Sequence, residues 1–143
     1  MTIRPAHRDD FPAVLALWDG ARSAQASTPD SRETLERLLV QDPGALLVAE
    51  DEEGLGGTLI AAWDGWRGNM YRLAVRPELR RRGWGLALVR AGERRLHDLG
   101  ARRITALVGR GDEPAEALWR AAGYDLDAEI GRFVCNLRTP PTP

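Results

Sequence analysis

The sequence predicts an α+β (mixed α/β) domain, with about four helices on a mixed, mostly antiparallel sheet of about seven strands. Three observations lead there. Apolar residues recur at helical spacing in separate stretches, as in Phe11, Val14, Leu15 and Trp18. Between them lie short apolar or alternating runs at Ala45–Glu50, Thr58–Trp63 and Tyr71–Val75, joined by connections too short for a crossover. A long helical pattern then separates the run ending at Val75 from one at Arg103–Val108, which makes that last pair parallel.

At 143 residues the chain reads as one domain over 1–138 with a disordered proline-rich tail over 139–143. A net charge of −1 gives no reason to expect nucleic acid or a membrane surface as partner. One cysteine excludes an internal disulfide and fits a reducing cytoplasm. The N-terminus lacks the apolar segment of a signal peptide, and no apolar run is long enough to span a bilayer. Two histidines and one cysteine, far apart, give no metal-ligand spacing, so no metal is expected.

Taken in order, Thr2–Arg4 reads as a short first strand. Asp9 is the expected N-cap of a helix running to about Arg22, and Ser23–Pro29 is a polar loop. Asp30 and Glu33 have capping-box spacing before Leu35, Leu38 and Leu39, and Asp42-Pro43-Gly44 stops that second helix. The runs at Ala45–Glu50 and Thr58–Trp63 form a hairpin across Asp51–Gly54, and Asp64-Gly65 is the next turn. Tyr71, Leu73 and Val75 alternate on one face of the following strand. Leu88, Gly92, Leu96 and Leu99 then form the apolar side of a long helix closed by Gly100, with His97 on its polar side. After the strand at Arg103–Val108 comes a short helix, Glu113–Ala122, with Pro114 in its first turn. Tyr124–Asp127 and Ile130–Leu137 complete the strands, with Cys135 as a small buried hydrophobe in the last.

Met70–Leu99 organises the chain. A strand feeds a turn containing Pro77, Arg80, Arg81, Arg82, Gly83 and Gly85, and the turn opens a helix. The first N–H groups of a helix are unpaired and carry the positive end of its dipole, so glycines and arginines beside them make an anion site suited to a pyrophosphate. Two common phosphate loops fit poorly. The P-loop needs Gly-Lys-Ser/Thr, and the chain has no lysine; the dinucleotide fingerprint needs a third glycine where Leu88 stands.

Arg80-x-x-Gly83-x-Gly85, after a strand ending Leu73-Ala74-Val75, resembles motif A of the GCN5-related N-acetyltransferases (GNATs). Asp112-x-x-Ala115-x-x-Leu118-Trp119-x-x-x-Gly123-Tyr124 resembles a second motif of that family, which has Asn and Tyr at two of these polar positions. The element order matches the GNAT fold end to end. The resemblance implies that the central parallel strands splay apart and that acetyl-CoA is the cosubstrate. Its pyrophosphate would lie on Arg80, Arg81, Arg82, Gly83, Trp84, Gly85 and Leu86. Its pantetheine would lie along Leu73, Ala74 and Val75 and near Asp112 and Trp119.

By the same resemblance, the Val75 N–H polarises the thioester carbonyl; a preorganised donor of this kind is worth roughly 2.7–4 kcal/mol. The family's usual tyrosine acid is replaced by Trp119, whose indole cannot serve as an acid near neutral pH. A CoA thiolate, with a thiol reference pKa of about 8.5, can leave without one. The family's two glutamate bases correspond to Leu107 and to the neighbourhood of Asn69. Asp64, Tyr71 and Glu50 remain as candidate bases; a core position for Tyr71 and a turn role for Asp64 are the simpler readings. The resemblance places the amine acceptor against Arg22–Asp30, Trp66–Asn69 and Asp125–Arg132. Asp19, Asp30, Asp64 and Asp125 could attract a cation or be ordinary surface charge.

The expected function is acetyl transfer from acetyl-CoA to a primary amine of a small molecule or protein, in a ternary complex. The alternative is a GNAT-fold acyl-CoA sensor or structural module without turnover. Expected partners are acetyl-CoA, an unidentified amine and, as an open option, a second copy of the chain.

Overall fold

The computed structural model describes residues 1–21 and 30–135. The expected loop at Ser23–Pro29 and the expected C-terminal tail lie outside them. Five strands, β1 (Thr2–Pro5), β2 (Leu46–Asp51), β3 (Gly54–Trp63), β4 (Gly68–Val75) and β5 (Ile104–Ala106), form one sheet in sequence order. The first four are mutually antiparallel and β5 is parallel to β4. The helices are α1 (Phe11–Ala21), α2 (Arg32–Gln41), α3 (Trp84–Leu99) and α4 (Glu113–Ala121).

The two faces of the sheet carry separate cores. On one, Phe11, Val14, Trp18 and Leu35 from α1 and α2 pack on Leu46, Val48 and Ile60. On the other, Leu88, Val89 and Leu96 from α3 pack on Leu47, Leu59, Ala61 and Met70. Gly92 makes the second contact possible: a Cβ there would lie 2.8 Å from Met70 Cε and 2.9 Å from Leu59 Cδ2. The half-buried Arg95–Asp42 ion pair adds a polar tie between α3 and the end of α2.

Several local expectations are corrected. Helix α1 is entered through a 3-10 turn over Arg8–Asp10, and Asp10 rather than Asp9 accepts from the His7 N–H, at 2.7 Å. Ser31 and Thr34, not Asp30 and Glu33, cap α2; the Asp30 carboxylate is drawn instead to Arg72. Leu99, the last residue of α3, is 43% exposed rather than part of its buried side. Strand β3 begins at Gly54 rather than Thr58. Its glycines leave room for the segment before α3: a Cβ on Gly56 would lie 2.4 Å from Leu79 Cδ1 and 2.7 Å from Trp84 Cζ3.

Among the described residues the sheet has five strands rather than about seven, because residues 124–135 form neither helix nor strand. Leu126, Ile130, Phe133 and Val134 are exposed there, and so is Cys135. The alternation in that segment suits a strand, but among the described residues no strand pairs with it, and pairing rather than pattern is what makes a strand.

The remaining correction positions the site. Tyr71 does not share a face with Leu73 and Val75. Ile60 pairs with Tyr71 and Thr58 with Ala74, so Leu59 opposes both Arg72 and Leu73. This is a β-bulge, with Arg72 at φ +55°. The extra residue reverses the alternation: Tyr71 joins the α1/α2 core, whereas Leu73 and Val75 join the α3 core.

Candidate active site

The parallel pair β4–β5 is hydrogen-bonded only at its start. Gly68, Asn69 and Met70 pair with Ile104, Thr105 and Ala106, and the last contact is Leu107 N–H to the Met70 carbonyl at 3.2 Å. Beyond it the chains part. Tyr71, Arg72, Leu73 and Ala74 form one wall of a cavity of about 150 Å³, and Leu107, Val108 and Gly109 form the other. Ala115 and Trp119 of α4 and Trp18 of α1 complete its apolar lining. An opening between parallel strands exposes unpaired backbone N–H and C=O groups, which suits an amide-bearing arm laid along it.

The bulge is held from three directions. The Trp18 indole N–H donates to Thr58 Oγ1 at 2.8 Å, and the fully buried Thr58 hydroxyl donates to the Arg72 carbonyl at 3.1 Å. The Arg72 guanidinium lies over the Trp18 ring, 5.5 Å from its centroid, and its Nη2 is 2.7 Å from Asp30 Oδ1. A positive φ is costly for a residue with a Cβ, so these contacts maintain a conformation that the backbone alone disfavours.

At the end of β4 the chain turns through Pro77–Leu79 into α3. Arg80 Nε donates to the Val75 carbonyl at 3.2 Å, tying the loop to the strand end. Arg81 and Gly83 both have positive φ, +60° and +83°. A Cβ on Gly83 would meet no protein atom within 4 Å, so the space before the first turn of α3 is open. Gly83 offers no side-chain cap to that turn, which leaves its N–H groups directed outward. Arg80, Arg81 and Arg82 are exposed beside it.

The expected site residues divide into distinct places. Tyr71, Leu73, Ala74, Asp112 and Trp119 line the same cavity, the one between β4 and β5. Val75 stands one residue past it, at the start of the loop. Gly85 and Trp84 have packing roles: a Cβ on Gly85 would lie 2.5 Å from Leu118 Cδ1, and the Trp84 ring is buried beneath Gly56. Leu86 is partly exposed. Asp112 caps α4 by accepting from the Ala115 N–H at 3.2 Å. Trp119 is buried edge-on against Tyr124, with ring centroids 4.9 Å apart.

The candidate bases fare differently. Asp64 is outside the cavity; its Oδ1 accepts from the N–H groups of Arg67 and Trp66 in a turn, and these bonds hold its carboxyl below the usual range. Glu50 is likewise outside the cavity, paired with Arg4, and held low by that hydrogen bond. Burial, with the charges of Asp64 and Asp42 as lesser causes, raises the Tyr71 phenol above its ordinary value, so at neutral pH it is a hydroxyl and a hydrogen-bond donor. Sequence reasoning did not single out Arg72 or the placement of Trp18 in the cavity. The available signal was an arginine inside an otherwise apolar strand.

Among the described residues no group of three or more His, Cys, Asp or Glu side chains is placed to hold a metal, and no helix is long and apolar enough to cross a membrane. Residues 7–124 match the model of the acetyltransferase (GNAT) family. An acetyltransferase of Photorhabdus laumondii is 37% identical over 108 residues, spanning 76% of this chain and 75% of that one. The apo aminoglycoside 6′-N-acetyltransferase of Acinetobacter haemolyticus shares the fold with a TM-score of 0.74 at 18% identity, over 96% of this chain and 99% of that one. N-acetylglutamate synthase of Neisseria gonorrhoeae, solved with coenzyme A and N-acetyl-glutamate, aligns with a TM-score of 0.69 at 26% identity, over 81% of this chain but 27% of that longer one. With the splayed strands, the bulge and the open helix N-terminus already in place, these matches show that the chain belongs to the GNAT family of acetyltransferases, whose cosubstrate is acetyl-CoA.

Proposed function

We propose that the protein transfers the acetyl group of acetyl-CoA to a primary amine by direct attack in a ternary complex. The parting of β4 from β5 immediately after Met70, beside a bulged strand end, is the observation that carries this reading. It supports a linear arrangement. The pyrophosphate sits at Gly83 and the arginines, the pantetheine runs along Leu73–Val75, and the thioester lies near Tyr71 and Arg72.

In the reaction the neutral amine attacks the thioester carbonyl carbon. A C–N bond forms, the C–S bond breaks, and the proton lost by nitrogen is balanced by the one gained by the CoA thiolate. The resemblance implies the Val75 N–H as donor to the carbonyl oxygen; in this arrangement a strand-edge N–H nearer the bulge, at Leu73, is the proposed donor as negative charge grows there, and Val75 serves the pantetheine. The amine sheds its ammonium proton to water before attack, so no carboxylate base is required. The protonated Tyr71 hydroxyl is positioned on the cavity wall to donate toward the leaving sulfur.

A thermal melt with and without acetyl-CoA, followed by chromatographic detection of CoA release with a panel of amines, tests this. Ligand at 100 times its Kd should stabilise by about 2.7 kcal/mol. Gly83→Glu should abolish that shift, because it sets a negative charge before the helix and forces a side chain onto a positive φ. An unshifted wild type would remove the cofactor assignment. A shift without CoA release from any amine would favour the sensor.

A further inference from the structure

We propose, resting on the acetyl-transfer reading above, that Thr58 is a positioning residue: its hydroxyl holds the Arg72–Leu73 peptide so that the Leu73 N–H is aimed at the thioester. Among the described residues Thr58 is the one polar residue fully buried in the core. A valine would fill nearly the same space and need no hydrogen-bond partner, so a hydroxyl here calls for a use beyond packing. Its two bonds run in one direction. The Trp18 indole is a donor only, so the 2.8 Å contact makes Thr58 Oγ1 an acceptor there. The hydroxyl proton is then directed to the Arg72 carbonyl, 3.1 Å away. The chain of bonds runs from α1 through β3 and ends on the backbone of the bulge.

A trans peptide unit is planar, with its carbonyl and its N–H on opposite sides. The Arg72 carbonyl and the Leu73 N–H belong to one such unit. With the carbonyl held toward Thr58 on β3, the N–H points away from β3. Strand β4 lies between β3 and β5, so this direction is the side from which β5 has parted. Leu73 lines the cavity there, with Leu107, Val108 and Gly109 opposite. Regular pairing does not extend to this unit, because the bulge sets Arg72 and Leu73 together against Leu59. Arg72 also stands at φ +55°, which a residue with a Cβ disfavours, and relaxation of that angle would swing the N–H off the cleft. One hydroxyl from β3 thus does what a ladder bond does elsewhere in the strand. An oxyanion donor is effective only when oriented before the charge forms, so the hydroxyl acts on kcat. Cofactor binding rests on other contacts, those of the pyrophosphate loop and the pantetheine arm.

The test uses the best amine of the panel, with CoA release for kcat and KM and the acetyl-CoA melt shift for binding. Thr58→Val should lower kcat at least about tenfold, against the roughly 10²–10³ that loss of a whole oxyanion donor costs. Its KM for acetyl-CoA should stay within about twofold of the wild type, and the melt shift should persist. Thr58→Ser keeps the hydroxyl and should recover kcat to within about threefold. Infrared difference spectra with carbonyl-labelled acetyl-CoA read the donor directly. The thioester C=O stretch should fall on binding to the wild type and return toward its free value in Thr58→Val. If the valine variant does not fold, Thr58→Ala carries the same comparison, since it removes the hydroxyl without setting a methyl against the Trp18 N–H and the Arg72 carbonyl. An undiminished kcat without the hydroxyl, a serine variant as slow as valine, or the same carbonyl stretch in wild type and variant would overturn the proposal while acetyl transfer stands. A wild type with no acetyl-CoA melt shift, or no CoA release with any amine, would instead remove the parent reading and this one with it.

Discussion

From Gly68 to Met70, β4 is paired on both sides and contributes to the apolar core under α3. From Arg72 to Val75 the same strand has parted from β5, carries a bulge with φ +55°, and borders a cavity containing an ion pair. The first half is built by packing and the second by polar contacts that oppose local preference. One strand thus supplies a rigid base and, a few residues on, the irregular backbone at which the thioester is proposed to lie. The comparison teaches that the rigid half sets where the second half stands, while the bulge sets which way its groups point.

The comparison can be broken most severely in the packed half. Leu88→Ala should lower stability by about 2–5 kcal/mol by leaving a cavity between α3 and the sheet; calorimetry or denaturant unfolding checks this. Gly92→Val should cost about 1–3 kcal/mol, because even its Cβ would press on Met70 and Leu59; its acetyl-CoA affinity, measured where it is folded, should change little. In the splayed half, Arg72→Gly should be more stable than Arg72→Ala by about 1 kcal/mol, since both lose the ion pair but only alanine keeps the unfavourable φ. Equal stabilities would argue that the bulge relaxes when its side chain is removed.

Two smaller effects lie outside the cleft. Asp10 is held below its usual range chiefly by the Arg4 hydrogen bond, so its charged form favours the folded state. That contribution is present above the unfolded carboxyl pKa of about 3.9 and is lost as pH falls through the lower folded value. Asp10→Asn should therefore flatten the acid limb of the stability–pH curve and leave the neutral limb level. Asp64→Asn should keep kcat and KM within about twofold, since asparagine can accept the same turn bonds; a large loss in kcat would return Asp64 to the list of bases.

Much of the scaffold was legible because it rests on short-range chemistry. The Phe11–Trp18 stripe, the hairpin of β2 and β3, the parallel β4–β5 pair and the glycine-marked start of α3 each follow from spacing, turn residues or connection length. The proposed phosphate loop rests on the same kind of short-range chemistry: a glycine and arginines beside a helix start suit an anion.

Other features depended on partners distant in sequence. Tyr71, Leu73 and Val75 alternate perfectly on paper, and only the register against Leu59 reveals the bulge that separates them. Asp30 looked like a helix cap until Arg72 competed for it across the fold. Gly56 and Gly85 are informative only when Leu79, Trp84 and Leu118 are known to press on them. Ile130–Leu137 has the composition of a strand, yet the described part of it has no sheet partner. The sequence by itself therefore determined most of the elements and the glycine–arginine turn before α3, through local propensity and periodicity. Tertiary structure alone decided the bulge, the paired charges and the opening between strands, because register, burial and ion pairing are properties of two segments brought together.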